Sequence, residues 1–368
     1  MKILILSSGT GEGHNSAAYA VAEALDRVGA EHELLDPLTL RSQRTARLVA
    51  ASYNGIIKKT PAAFGLLYRA GALYSSTRLI SPIYYANARY AGALRDYIEA
   101  HRFDAVVTTH LFAMEALTAM RRKFGASVPC YGVLTDYTCI PFFPETKLDG
   151  YFIPHEALRP ELEAKGVDGS RLIATGIPVS ARFAAHTPRN EARTALGVPQ
   201  EAKMLLIMTG GAGCGNPFAL CDTLCELGDE APQTHLLVGH NDALREKLRG
   251  AYGERPWLHF VPFTRDVPLY MNAADVLISK PGGLSSTEAA VAGIPLVHLL
   301  AFNGCETKNV EFFTAHGLSL RAESEREAIL AAKRLLDSPE EAEQMRQAQR
   351  REIHPDAADR IAQVVTGK

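Results

Sequence analysis

Three stretches of this chain bring together residue types that can do chemistry. The first is Gly9-Thr-Gly11-Glu-Gly13-His14, which an apolar run enters and a helix-compatible run leaves. The positive end of a helix disfavours imidazolium, so a histidine there stays neutral and basic. His14 is therefore a candidate general base; a capping or solvent-facing histidine is the plain alternative. A dinucleotide fingerprint needs glycine where His14 stands, and no Gly-x-x-x-x-Gly-Lys-Ser/Thr occurs anywhere. Nicotinamide, flavin and phosphate-loop ATPase chemistry are set aside on those grounds.

The second stretch is Ser279-Lys280-Pro281-Gly282-Gly283-Leu284-Ser285-Ser286-Thr287-Glu288-Ala289-Ala290. Ser285, Ser286 and Thr287 are expected to leave backbone N–H groups free at a helix start, an anion site suited to a pyrophosphate. Glu288 is expected in the first turn. It either favours the helix dipole, by about 0.3–1 kcal/mol, or grips the two hydroxyls of a ribose, which the whole constellation favours. The third stretch is Asn303-Gly304-Cys305-Glu306-Thr307-Lys308-Asn309. Glu306 and Asn309 are suited to sugar hydroxyls, or to capping a helix. No Asp-x-Asp occurs, so no bridging metal and no cofactor is expected; a helix N-terminus would meet the pyrophosphate charge.

Strands and helices must position these groups. The chain has 368 residues, too many for one ordinary domain. Lys2–Gly9 and Lys203–Gly210 are apolar runs that each enter a glycine turn, as strands buried on both faces of a parallel sheet do. Further strands are expected at 31–36, 104–109, 130–135, 150–153 and 172–175, then at 234–238, 258–261, 276–279 and 296–299, with helical stretches between them. The alternation predicts an α/β protein of two doubly wound parallel-sheet domains, residues 1–176 and 177–349, joined near Gly176–Pro199. The last helix, about 350–368, is placed against the first domain. Ligands bind beyond the carboxyl ends of such strands, so both glycine turns are expected to face one interdomain cleft.

The six cysteines form no disulfide framework, and 47% hydrophobic with 22% charged residues is ordinary globular composition. The net charge of −2 gives no case for nucleic acid as a partner. The charge is uneven, however: residues 41–95 hold nine Lys or Arg, no Asp or Glu, and seven aromatics. Basic groups beside anionic headgroups contribute about 1 kcal/mol each, and tyrosine suits the interface. Lys58, Lys59, Phe64, Tyr68 and Arg69 are expected on this membrane-facing side; helices with a buried aromatic face are the alternative. No stretch reads as a leader or a membrane-spanning helix, so the protein is expected in the cytoplasm, peripheral on the inner face of the cell membrane.

The Gly-x-Gly-His start, Leu134-Thr-Asp136, Gly176-Ile-Pro178, the 209–216 turn and Lys280-Pro-Gly-Gly with Glu288 together resemble the two-Rossmann-domain (GT-B) glycosyltransferases. They are most similar to the family of monogalactosyldiacylglycerol synthases and processive diacylglycerol glucosyltransferases. The resemblance implies inverting, metal-independent transfer of a hexose from a UDP-sugar to the hydroxyl of diacylglycerol. By the match, His14 takes the acceptor's proton. Gly13, Gly211, Gly213 and Asn216 would border the donor phosphates, with Gly239 and Asn241 in the donor-side turn. Phe263 and Thr264 would lie at the uracil. Lys280, Gly282, Gly283 and Ser285–Thr287 would hold the pyrophosphate, Glu288 the ribose, and Glu306 and Asn309 the sugar. Asp136 and Tyr137 would lie on the acceptor side. The family usually has Gln where Cys305 stands, and His and Trp after Thr-Asp where this chain runs Tyr137 to Phe143. Other outcomes on the same fold are transfer of N-acetylglucosamine to another lipid-linked or small acceptor, a UDP-N-acetylglucosamine 2-epimerase, and a non-catalytic UDP-sugar sensor.

Overall fold

A computed structural model of the chain describes residues 1–9, 12–40, 42, 61–77, 79–125, 128–209, 215–253, 255–299 and 304–368. The chain forms two units. One comprises Met1–Ala181, Phe302–Lys308 and His354–Lys368; the other comprises Arg182–Ala301 and Asn309–Ile353.

The first unit is built on six parallel strands: β1 Lys2–Leu6, β2 Glu31–Leu35, β3 Ala105–Thr108, β4 Cys130–Val133, β5 Gly150–Ile153 and β6 Leu172–Ala174. Their order is β2-β1-β3-β4-β5-β6. Ile3 to Leu6 are fully buried, which is why an unbroken apolar run was needed there. Five of its helices are α1 Glu12–Arg27, α2 Pro61–Ser76, α3 Pro82–Ala88, α4 Ala91–His101 and α5 Leu111–Phe124. The terminal helix Ala357–Thr366 belongs to this unit. Its Ala358, Ile361, Ala362 and Val365 repeat at helical spacing and pack on Val21, Leu25 and β1. Ile361 and Val365 each contribute about 1.5–3 kcal/mol by that burial. The half-exposed Arg27–Asp359 pair at 2.7 Å adds at most about 1 kcal/mol. Gly176, at φ +97, lets the chain pass this helix: a side chain there would meet Ala357 at 3.0 Å.

The second unit has β7 Met204–Met208, β8 Gln233–Gly239, β9 Leu258–Pro262, β10 Val276–Ser279, β11 Leu296–His298 and β12 Leu320–Arg321. These also are all parallel, in the order β12-β11-β10-β7-β8-β9. β12 was not anticipated, since two residues carry no periodicity. The helix α6, Arg189–Leu196, falls where sequence suggested only a joint. Arg193 explains its place. The guanidinium is wholly buried, bonded to the carbonyls of Ala273, Pro199, Gln200 and Ala202 and to Asp275.

Candidate active site

In the first unit β1, β3 and β4 run side by side, with Leu6 opposite Thr108 and Thr108 opposite Gly132. The residues just beyond those strand ends therefore meet the first turn of α1, where His14 is the third residue. The Nδ1 of His14 lies 2.7 Å from the carbonyl oxygen of Thr109. A carbonyl only accepts, so Nδ1 carries the hydrogen and Nε2 keeps the lone pair. Thr135 Oγ1 lies 3.2 Å from the same Nδ1, and Thr109 Oγ1 donates to the His14 carbonyl at 2.9 Å. Burial lowers the His14 pKa from its ordinary value, opposed by the charge of Asp136.

The ring of His110 packs edge-on at 4.6 Å. Its Nδ1 accepts from the Phe112 N–H, capping α5, and burial together with His14 pushes its pKa well down. The result is a pair of neutral imidazoles, of which His14 borders a small recess lined also by Thr109, Thr135, Asp136 and Phe143.

The basic aromatic segment divides between core and surface. Tyr84 and Tyr90 are buried, the latter with its hydroxyl between Asn87 and the Phe112 carbonyl. Tyr137 is also buried, at 2% exposure, which removes it from any ligand-facing surface. Leu73, Leu79 and Tyr85 are 60–73% exposed beside exposed Arg69 and Arg89. Tyr68 is half-buried, its ring where a side chain on Gly304 would lie. Lys58, Lys59 and the side chain of Phe64 lie outside the described residues, as do Gly211 and Gly213.

In the second unit β10 runs into a turn at Lys280–Gly282, and helix Gly283–Ala292 follows with Gly282 as its extended N-cap. The Ser286 N–H already donates to the Gly282 carbonyl at 3.0 Å. The orphan N–H groups are thus those of Gly283, Leu284 and Ser285, earlier than the expected Ser285–Thr287. The hydroxyls of Ser286 and Thr287 also turn inward. Ser286 Oγ lies 2.8 Å from Nε2 of the buried His298, whose Nδ1 is 3.0 Å from Ser319 Oγ. Thr287 Oγ1 donates to the Gly283 carbonyl. Ser285 makes no side-chain hydrogen bond among the described residues, and Lys280 Nζ folds over Gly282.

Glu288 is the sixth residue of its helix, not a first-turn residue. A dipole role fades beyond the first turn, so that alternative falls away. Its carboxyl has no hydrogen-bond partner among the described residues, and burial pushes its pKa up to about 8. Asn309 is corrected too: it is fully buried, and its Nδ2 donates to the Pro281 carbonyl at 3.0 Å. It shapes the turn rather than facing a sugar. Asn216 and Asn241 cap helices Pro217–Glu226 and Asp242–Tyr252 with their side-chain oxygens. Gly239 ends β8 at φ +62. Phe263 is 52% exposed and stacks on His240 at 3.9 Å, while Thr264 Oγ1 accepts from Asp266. Glu306 lies in the first turn of helix Cys305–Ala315, in the part grouped with the first unit. Among the described residues no three metal-ligating side chains come together.

Known proteins are similar to this chain. Residues 14–179 match the monogalactosyldiacylglycerol (MGDG) synthase profile, and residues 209–361 match the glycosyltransferase family 28 C-terminal domain. The processive diacylglycerol beta-glucosyltransferase of Bacillus pumilus is 27% identical over 353 residues, 94% of this chain and 89% of that one. The chain is a glycosyltransferase, and the two matches divide it between them. MurG of Acinetobacter baumannii superposes with TM-score 0.62 at 16% identity, covering 100% of this chain and 99% of MurG. A UDP-GlcNAc 2-epimerase from Neisseria meningitidis superposes with TM-score 0.62 at 15% identity over the whole of both chains. These two likenesses show the GT-B fold. Within the family frame, three residues that sequence reasoning passed over stand out. Thr109 and His110 end an apolar strand in Thr-Thr-His, a visible signal; His298 looked like a mere interruption of an apolar run.

Proposed function

We propose that this glycosyltransferase moves a hexose from a UDP-sugar to the hydroxyl of diacylglycerol, with inversion and without a metal. The observation that carries the reading is the His14 hydrogen bond to the Thr109 carbonyl, which leaves Nε2 bare and the ring neutral. In the proposed step the lipid hydroxyl gives its proton to Nε2 as its oxygen bonds to C1 of the hexose. The C1–O bond to the β-phosphate breaks, and its electron pair leaves with UDP. A positioned base is worth about 10²–10⁴-fold in such a transfer. The free N–H groups of Gly283, Leu284 and Ser285 are suited to the leaving diphosphate. The Glu288 carboxyl, without a hydrogen-bond partner among the described residues, is suited to two ribose hydroxyls, and Phe263 with Thr264 to the uracil.

Among the described residues no helix is long and apolar enough to cross a membrane. Exposed Leu73, Leu79 and Tyr85 beside Arg69 and Arg89 suit an anionic lipid surface, which supports a peripheral place on the inner face of the cell membrane. The test is transfer itself. Protein, diacylglycerol vesicles and EDTA are mixed with UDP-glucose, UDP-galactose or UDP-N-acetylglucosamine, and the lipids are read by mass spectrometry. A glycolipid from one donor is expected. An epimerised donor, or UDP-sugar binding without any product, overturns the reading.

A further inference from the structure

The segment from Thr135 to Glu145 spans the first unit from His14 to helices α2 and α3. At one end Thr135 Oγ1 lies 3.2 Å from His14 Nδ1, and the Asp136 charge acts on the same ring. Its middle is tied down. Glu161 Oε1 accepts from Thr138 Oγ1 at 2.9 Å and from the Cys139 N–H at 3.2 Å, and Lys165 Nζ donates to the Cys139 carbonyl at 3.0 Å. At the far end Glu145 accepts from both the N–H and the Oγ of Ser81, which caps α3. A segment anchored at three places is a strut, not slack chain.

One residue of this strut is strained. Phe142 has φ +66, in the left-handed region that favours glycine. Strain of this kind persists only where the surroundings over-determine it, and here they do. The Phe142 N–H donates to Ser75 Oγ on α2 at 3.1 Å, and its ring lies 6.4 Å from that of Tyr74. The ring fills the notch left by Gly71: a Cβ added there would meet ring carbons at 3.2 and 3.3 Å. Only glycine leaves that seat open.

We propose that Phe142, seated in the Gly71 notch of α2, is a positioning residue that sets Thr135 and Asp136 against His14. It acts through the strut and touches no substrate. The helix that holds it is the one presenting Arg69 and Leu73 to solvent. The placement of that helix is thereby read at His14. The inference rests on His14 being the base of the proposed reaction.

Gly71→Ala sets a Cβ 3.2 Å from the ring, which must shift by a few tenths of an ångström, and is the sharpest test. Expected is a loss of kcat of about 3- to 10-fold with donor KM within two-fold, as a small misplacement of catalytic groups produces. Histidine-labelled protein without substrate provides the second readout, with the His14 resonance assigned by its loss in His14→Ala. Among the described residues His14 faces two other titratable side chains, His110 and Asp136. Gly71→Ala should move its titration by weakening the Asp136 contribution. In a Phe142→Gly background, which lacks ring and strain together, Gly71→Ala should change neither readout. An unmoved His14 titration in folded Gly71→Ala overturns the proposal, and so does an equal effect in both backgrounds. If Gly71→Ala does not fold, Phe142→Gly alone must shift the titration or the proposal falls. The titration needs no substrate, so it decides the positioning role even if the wild-type protein transfers no sugar to lipid.

Discussion

The two units share an architecture and differ in where they put their chemistry. In the first, the special residues gather at the turn after β1, and the central group is surrounded by protein partners: His14 has Thr109, Thr135, Asp136 and His110 about it. In the second they gather after β10, and the central group is left alone: Glu288 has no hydrogen-bond partner among the described residues. Both groups are desolvated, and burial moves the two pKa values toward the neutral form, downward for the imidazole and upward for the carboxyl. The contrast separates two tasks. A base must be held in one tautomer before substrate arrives. A ligand-gripping carboxylate must keep its acceptors open for donors that only the ligand brings.

The largest expected effect comes from removing the held group. His14→Ala should cost about 10²–10⁴-fold in kcat while UDP binding by calorimetry stays as in the wild type. Because burial lowers the His14 pKa, the acid limb of kcat/KM in the wild type should fall below pH 6.5, as protonation of Nε2 abolishes the base. A variant with normal turnover ends the assignment.

Removing the open group should act on binding. Glu288→Ala should weaken UDP by about 10- to 100-fold, the worth of hydrogen bonds to a charged group. A carboxyl near pKa 8 is mostly protonated at pH 7 and must ionise to accept two hydroxyls. UDP affinity should therefore rise from pH 6 to pH 8, with proton release seen as a buffer-dependent binding enthalpy. Glu288→Gln should abolish that dependence, and unchanged UDP affinity removes the ribose role.

A buried carboxyl that is partnered gives a third point of comparison. Glu115 on α5 lies 2.5 Å from Asn87 Nδ2 and is pushed up to about 9 by burial, reinforced by Glu145. The folded protein keeps a proton there that the unfolded chain releases above pH 4.5. Stability from this group is full below pH 4.5 and is lost as pH rises to 9. Glu115→Gln should be more stable than the wild type at pH 9 and differ less at pH 6 in urea unfolding.

The smallest effect separates neighbours on one helix. Ser286→Ala breaks the bond to His298 and should cost stability by about 1 kcal/mol with UDP binding little changed. Ser285→Ala should do the reverse, weakening UDP a few-fold without changing the unfolding midpoint. Equal effects would erase the distinction drawn between inward and outward hydroxyls.

Much of the fold was legible because parallel strands buried on both faces must be apolar throughout, and the turns between them need glycine. Ile3–Leu6 and Leu205–Ile207 announce themselves in that way. The terminal helix was placed against the first domain by expectation; its packing depends on Ala358 and Ile361 meeting Val21, which no local pattern reveals. Asn309 looked like a sugar ligand because Asn suits hydroxyls equally well whether they belong to a sugar or are replaced by a backbone carbonyl. Burial decided for Pro281. Likewise a run of Ser-Ser-Thr at a helix start reads as uniform, yet the helical period turns Ser286 to His298 and leaves Ser285 outside.

By itself, then, the order of residues determined two parallel α/β sheets, the glycine turns that end their strands, and the residues able to act as base, anion cradle and carboxylate. Those depend on local composition and spacing. Tertiary structure alone decided which nitrogen of His14 carries no hydrogen, that Tyr137 is core and that Glu288 has no hydrogen-bond partner among the described residues. These depend on contacts such as His14 with Thr109 and Thr135, which lie 95 and 121 residues away along the chain. A hydrogen bond across that distance exists only once the strands between have packed.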